Sequence, residues 1–105
     1  MANTVIGSSI VIDGEISGDE DLVILGTVKG QISSRENILV EREGVLEANV
    51  ETSTITVHGA VTGDIRASDR VELCADCRVV GDVHASRIMI ADGASFKGSV
   101  DMGNG

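Results

Sequence analysis

ITVHGAVTGDIRASDR, running from Ile55 to Arg70, carries large aliphatics at Ile55, Val57, Val61 and Ile65 and small residues at Gly59, Gly63 and Ala67. Polar, charged or small residues fill the places between. Val61, Gly63, Ile65 and Ala67 recur at a spacing of two. That is the period of a β-strand, whose alternate side chains point to opposite faces.

The stretch is one of several copies. Upstream, LVILGTVKGQISSREN starts at Leu22 and ILVEREGVLEANVETST at Ile38. Downstream, VELCADCRVVGDVHASR starts at Val71 and IMIADGASFKGSVDM at Ile88. A less perfect copy, IGSSIVIDGEISGDED, starts at Ile6, so successive starts are 16, 16, 17, 16 and 17 residues apart. A first column then reads Ile6, Leu22, Ile38, Ile55, Val71, Ile88. A second reads Ile24, Val40, Val57, Leu73, Ile90, and a third Ile12, Val28, Leu46, Val61, Val79, Phe96. The fourth is tiny (Gly14, Gly30, Ala48, Gly63, Gly81, Gly98), the fifth again aliphatic (Ile16, Ile32, Val50, Ile65, Val83, Val100).

Short strands repeated at this interval, with no helical segment between them, cannot be βαβ units. They predict an all-β, single-domain parallel β-helix of six coils, each 16–17 residues long. Each strand would pair with its equivalent one coil away, stacking like side chains in columns. Aliphatic columns suit a pleated surface, and the glycine column suits a tight corner or a close backbone approach. The step from column two to column three is four residues in ILGTV and VHGAV but six in VEREGVL, LCADCRV and IADGASF. This irregularity, at particular corners, favours a right-handed, three-sided coil over a strict hexapeptide repeat.

The bulk numbers agree. A chain of 105 residues makes one domain, and 42% hydrophobic residues can supply a core. One Phe and no Tyr or Trp leave that core to Val, Ile and Leu. A net charge of −9 disfavours direct nucleic-acid binding and attraction to an anionic membrane. The longest run of large aliphatics, Leu22 to Leu25, falls far short of the ~20 residues that span a bilayer. MANTVIGSS is unlike a secretion signal. A cytoplasmic location is expected, with membrane attachment left open.

The array resembles the bactofilins, bacterial proteins that form cytoskeletal filaments. The carriers are IGSSIVIDGEISGDEDLVILGTVKGQI, the later VTGDI and VVGDV, and a final coil ending FKGSV. The resemblance covers nearly the whole chain. It implies a right-handed, three-sided β-helix that polymerises without nucleotide, through its ends, into non-polar filaments. It also implies that Phe96 sits in the polymer contact, although Phe96 equally fills its own core column. Residues 1–5 form a short lead, 6–102 the polymerisation core and 103–105 a tail remnant. Chain ends without the disordered, proline-containing tails of the family look like a trimmed core or a minimal member.

The ends carry the functional expectation independently of the resemblance. A β-solenoid leaves unpaired backbone groups and a slice of core at each end unless capped. The C-terminal end is expected to offer Ile88, Ile90, Phe96, Val100 and Met102, and the N-terminal end Val5, Ile6, Ile10, Ile12 and Ile16. The partner that satisfies both is a second copy of the chain, with other family members or recruited proteins as further partners. Val23 and Leu39, outside columns one and two, are either a lateral contact between filaments or ordinary scattered apolar surface.

Chemistry has little to stand on. Cys74 and Cys77 form a C-x-x-C with no second pair for zinc and no βα context for a redox motif. His58 and His84 fall on separate outward positions. Acidic runs such as Asp19-Glu20-Asp21 and Glu41/Glu43 read as solvated corners. No phosphate-cradling loop with a Lys occurs. No cofactor, metal or catalytic residue is expected. The rival readings are a hexapeptide-type solenoid enzyme or inactive relative, forming a compact trimer, and a monomeric or dimeric binding module.

Overall fold

The computed structural model describes residues 3–18 and 21–101. The chain runs through β1 (Asn3–Ile6), β2 (Val11–Gly18), β3 (Asp21–Ile24), β4 (Thr27–Ser34), β5 (Asn37–Val40), β6 (Val45–Val57), β7 (Ala60–Thr62), β8 (Ile65–Leu73), β9 (Arg78–Ile90) and β10 (Ser95–Asp101). No helix occurs among the described residues. Every pairing is parallel and joins one coil to the next. The pairings form three ladders. One runs through Thr4, Leu22, Ile38, Ile55, Val71 and Ile88. The second runs through Ile12, Val28, Leu46, Val61, Val79 and Phe96. The third runs through Ile16, Ile32, Val50, Ile65, Val83 and Val100. The chain is a β-solenoid of about six coils, as the repeats predict.

The first coil departs from the expected register. Ile6 pairs with Ile24, and Thr4 stands opposite Leu22. Ile6 therefore belongs to the second column, and Thr4 heads the first. The corner Gly7–Ile10 explains the offset. It closes as a turn, with the Ile10 N–H donating to the Gly7 carbonyl at 3.0 Å. Ile6 to Ile12 is thus a six-residue step, like Val40 to Leu46. The first strand also begins at Asn3, inside the segment expected as a lead.

The corners explain the alternating coil lengths. The long corners Glu41–Gly44 and Cys74–Cys77 close by the same turn hydrogen bond, at 2.8 and 3.1 Å. From coil two to coil five, a long first corner goes with a short third corner. Coil three passes from Thr52 to Thr54 through Ser53 alone, whereas coil four needs both Ser68 and Asp69 between Ala67 and Arg70. The buried Thr52 hydroxyl satisfies itself by donating to the Glu36 carbonyl at 2.6 Å. Ser53 and Ser86 likewise donate to the Arg35 and Ser68 carbonyls, at 2.7 and 3.1 Å. These serine and threonine contacts stitch one coil's corner to its predecessor.

Inside, Ile24, Val28, Ile32, Leu46, Ile55 and Ile65 are completely buried. The interior is narrow and each coil contributes few side chains, so branched aliphatics fill it without aromatic rings. The glycine column turns the second corner. Gly81 has φ +134°, and a Cβ there would sit 2.8 Å from the Gly63 carbonyl carbon of the previous coil. Ala48 is the exception: no described non-glycine residue has positive φ, so coil three turns this corner with an ordinary backbone.

Candidate polymerisation ends

The two ends of the solenoid are open sheet edges. Among the described residues β1 pairs only with β3 at the N-terminal end, and β2 only with β4. At the C-terminal end β10 pairs only with β9, and the Arg87–Ile90 portion of β9 only with β8. The far side of each of these strands presents a row of backbone donors and acceptors with no ladder partner among the described residues, the standard template for adding another strand.

Core columns are sealed in the middle of the stack and bare at its C-terminal end. Ile24, Val40 and Val57 are fully buried, while Ile90, the last member of the same column, is 50% exposed. Val100 closes the column of Ile32, Val50 and Ile65 at 43% exposure. Phe96 stands opposite Val79 and packs on the core, half-buried, with no further coil above it among the described residues. It therefore fills its core column and faces the open end at once. Ile88 is also half-buried against the core, and Met102 lies outside the described residues.

The N-terminal end is better closed. Ile6 is only 4% exposed, whereas Ile12 and Ile16 are half-buried and packed on the core. Ile10, at the first corner, is 45% exposed. Val5 points differently from its neighbours. Its register line is Val5, Val23, Leu39, Thr56, Glu72, Met89, the outward side of the first ladder. Val5 thus extends the lateral stripe that Val23 and Leu39 define. Both of those are half-buried. The stripe turns polar beyond Leu39, where the Thr56 hydroxyl donates to Glu72 Oε2 at 3.3 Å. Val11 and Val80, exposed on the outside of the second ladder, were missed from sequence. They occupy outward places of the alternation, and only comparison with their polar equivalents Thr27 and Lys97 could have flagged them.

The cysteines sit at a corner. Cys77 is buried and Cys74 half-buried, with Cys74 Sγ 3.6 Å from His58 Nε2 one coil earlier. His84 Nδ1 lies 3.5 Å from Asp101 Oδ2 at the C-terminal end. His58 lies at a corner and His84 on the third ladder, and the two do not converge. Among the described residues no three His, Cys, Asp or Glu side chains are grouped to hold a metal ion. Burial, as the largest cause, pushes the Cys77 thiol above its ordinary pKa. A raised folded-state pKa leaves stability intact below the unfolded thiol's value, about 8.5, and removes it as pH rises toward the folded value. The urea midpoint should therefore fall from pH 7 to pH 10, and Cys77→Ala should remove the thiol's part of that fall. An identical alkaline loss in both chains would show that Cys77 does not contribute.

Among known proteins, the family described as "Bactofilin: Polymer-forming cytoskeletal" matches residues 4–101. Bactofilin BacO of Myxococcus xanthus (strain DK1622) is 72% identical over 102 residues, which are 97% of this chain and 81% of that protein. Bactofilin BacP of the same organism is 48% identical over 97% of this chain but only 42% of its own length. Bactofilin BacN, also from that organism, is 42% identical over 93% of this chain and 87% of its own. The solid-state NMR structure of the cytoskeletal bactofilin BacA superposes with a TM-score of 0.84 at 28% identity, covering 93% of each chain. A solenoid of parallel coils with two open ends, matched over nearly its whole length, belongs to the bactofilin family of polymer-forming cytoskeletal proteins.

Proposed function

We propose that the chain assembles end to end, without nucleotide, into non-polar filaments that act as a cytoplasmic scaffold for cell shape or protein positioning in bacteria. The observation that supports this most directly is the incomplete cover at the two ends, at Ile90, Phe96 and Val100 on one side and Ile10, Ile12 and Ile16 on the other. Another copy of the chain covers both with matching backbone rungs and apolar surface. Like ends meeting like ends are two isologous contacts and give a filament without direction; head-to-tail joining would give a polar one. The resemblance to the bactofilins favours the first. No grouping of catalytic side chains supports a trimeric enzyme, and the chain's role is structural on this reading. The core of assembly is the segment 6–102. Val5, Val23 and Leu39 form the surface for lateral bundling.

Negative-stain electron microscopy without nucleotide tests the proposal. The unmutated chain should form long thin filaments. Phe96→Arg, which places a charge on the open C-terminal end, should abolish them while leaving a β-rich circular dichroism spectrum. Val23→Glu/Leu39→Glu should leave single filaments but no bundles. A discrete trimer from the unmutated chain would overturn the scaffold reading.

A further inference from the structure

The two ends differ in charge as much as in shape. From Met1 to Asp21 the sequence holds five carboxylates, Asp13, Glu15, Asp19, Glu20 and Asp21, and no Lys or Arg. Asp13 and Glu15 are exposed and make no ion pair among the described residues. Lys29 is the register neighbour of Asp13, yet its ammonium lies 3.7 Å from Glu47, on the side away from the open end. The C-terminal end is mixed. Lys97 and Arg87, both exposed and without an ion pair among the described residues, share it with Asp92 and Asp101.

A two-fold contact sets each end against its own copy. Every charged side chain of the first coil is negative, so a two-fold there brings carboxylates toward carboxylates. At the C-terminal end both signs are present, and a two-fold can place Lys97 or Arg87 near a partner carboxylate. The apolar surface points the same way. Ile90 and Val100 are open at the C-terminal end, whereas their N-terminal counterparts Ile6 and Ile16 are buried and half-buried.

We infer that the two joints of the filament are unequal: the C-terminal ends pair first into a stable dimer, and the acidic N-terminal ends join these dimers only where salt screens them. The inference rests on the end-to-end, like-to-like reading above and adds a control point to it. Assembly then responds to ionic strength through one joint, and the dimer is the building block that persists when filaments dissolve.

Sedimentation of the full chain at two salt concentrations tests this. About 10 mM and about 100 mM correspond to Debye lengths of about 30 and 10 Å, long and short against the width of a joint. Dimers are expected at the low concentration and filaments at the high one. Asp13→Asn/Glu15→Gln should lower the salt needed for half-assembly by about twofold or more. Glu43→Gln/Glu51→Gln, the same change in net charge away from the ends, should not. Val100→Glu should convert the low-salt dimer to monomer, and Ile10→Glu should leave the dimer but prevent filaments. Filaments equally abundant at both salt concentrations would overturn the inequality. So would an equal shift from the control pair, or a dimer broken by Ile10→Glu and not by Val100→Glu. A chain that never passes a small oligomer at any salt would sink the end-to-end reading itself, a result distinct from salt-independent filaments.

Discussion

Gly81→Ala is expected to cost about 3 kcal/mol or more, a large share of the 5–15 kcal/mol that holds a typical domain together. Two separate penalties meet there. The backbone has φ +134°, a region that L side chains rarely adopt, which costs about 1–3 kcal/mol. The added methyl also runs into the backbone of Gly63 in the previous coil, its carbonyl carbon at 2.8 Å. That neighbour is a ladder strand, not a flexible side-chain tip, so relief requires the coils to part. Gly14→Ala isolates the first penalty. Its φ is +146°, but nothing among the described residues lies within 4 Å of a Cβ there. The two variants should differ in urea midpoint, with Gly14→Ala the milder. Equal midpoints would mean that the backbone contact at Gly81 relaxes without cost.

Leu46→Ala should cost about 2–5 kcal/mol, from lost burial plus the cavity left behind. Leu46 is completely buried and packed between Val28 and Val61 in its column. The interior is built of small aliphatics already in close contact, so little can move in to fill the gap. Position along the stack matters too. In a solenoid each coil is held by its neighbours, so a defect in coil three loosens the stack on both sides. Ile90→Ala, the same kind of truncation at the bare end, should cost far less in the isolated chain because half of that side chain is already in water. Unfolding measured over a roughly tenfold range of chain concentration separates fold stability from assembly, since only assembly makes the midpoint drift. Comparable losses for the two variants would show that the end is packed as tightly as the middle.

Much of the candidate site was legible because a parallel solenoid writes its core in columns. Ile90, Phe96 and Val100 could be named as end residues from sequence, since the last member of any inward column has no coil above it. The first coil was harder. Ile6 has the right chemistry for column one, and only the Gly7–Ile10 turn shows that it belongs two places later. The same shift decides that Val5 faces outward beside Val23, and that Ile6 is buried rather than offered at the end. A period of two carries no absolute phase near a chain end. One extra corner pair leaves the alternation intact and moves every residue to another column.

By itself the sequence determined the architecture: the 16- and 17-residue repeats, aliphatic columns and glycine corners admit a stack of parallel strands and little else. It determined as well that the first coil is wholly acidic, because charge is a property of composition. Only the tertiary structure decided how well each end is closed, with Ile6 sealed and Ile90 bare at equivalent places. It also decided that Lys29 turns toward Glu47, leaving Asp13 without an ion pair among the described residues, and that Cys74 of coil five meets His58 of coil four. The physical reason is that repeats encode which residues share a column, whereas exposure and side-chain pairing depend on which coil lies on the other side.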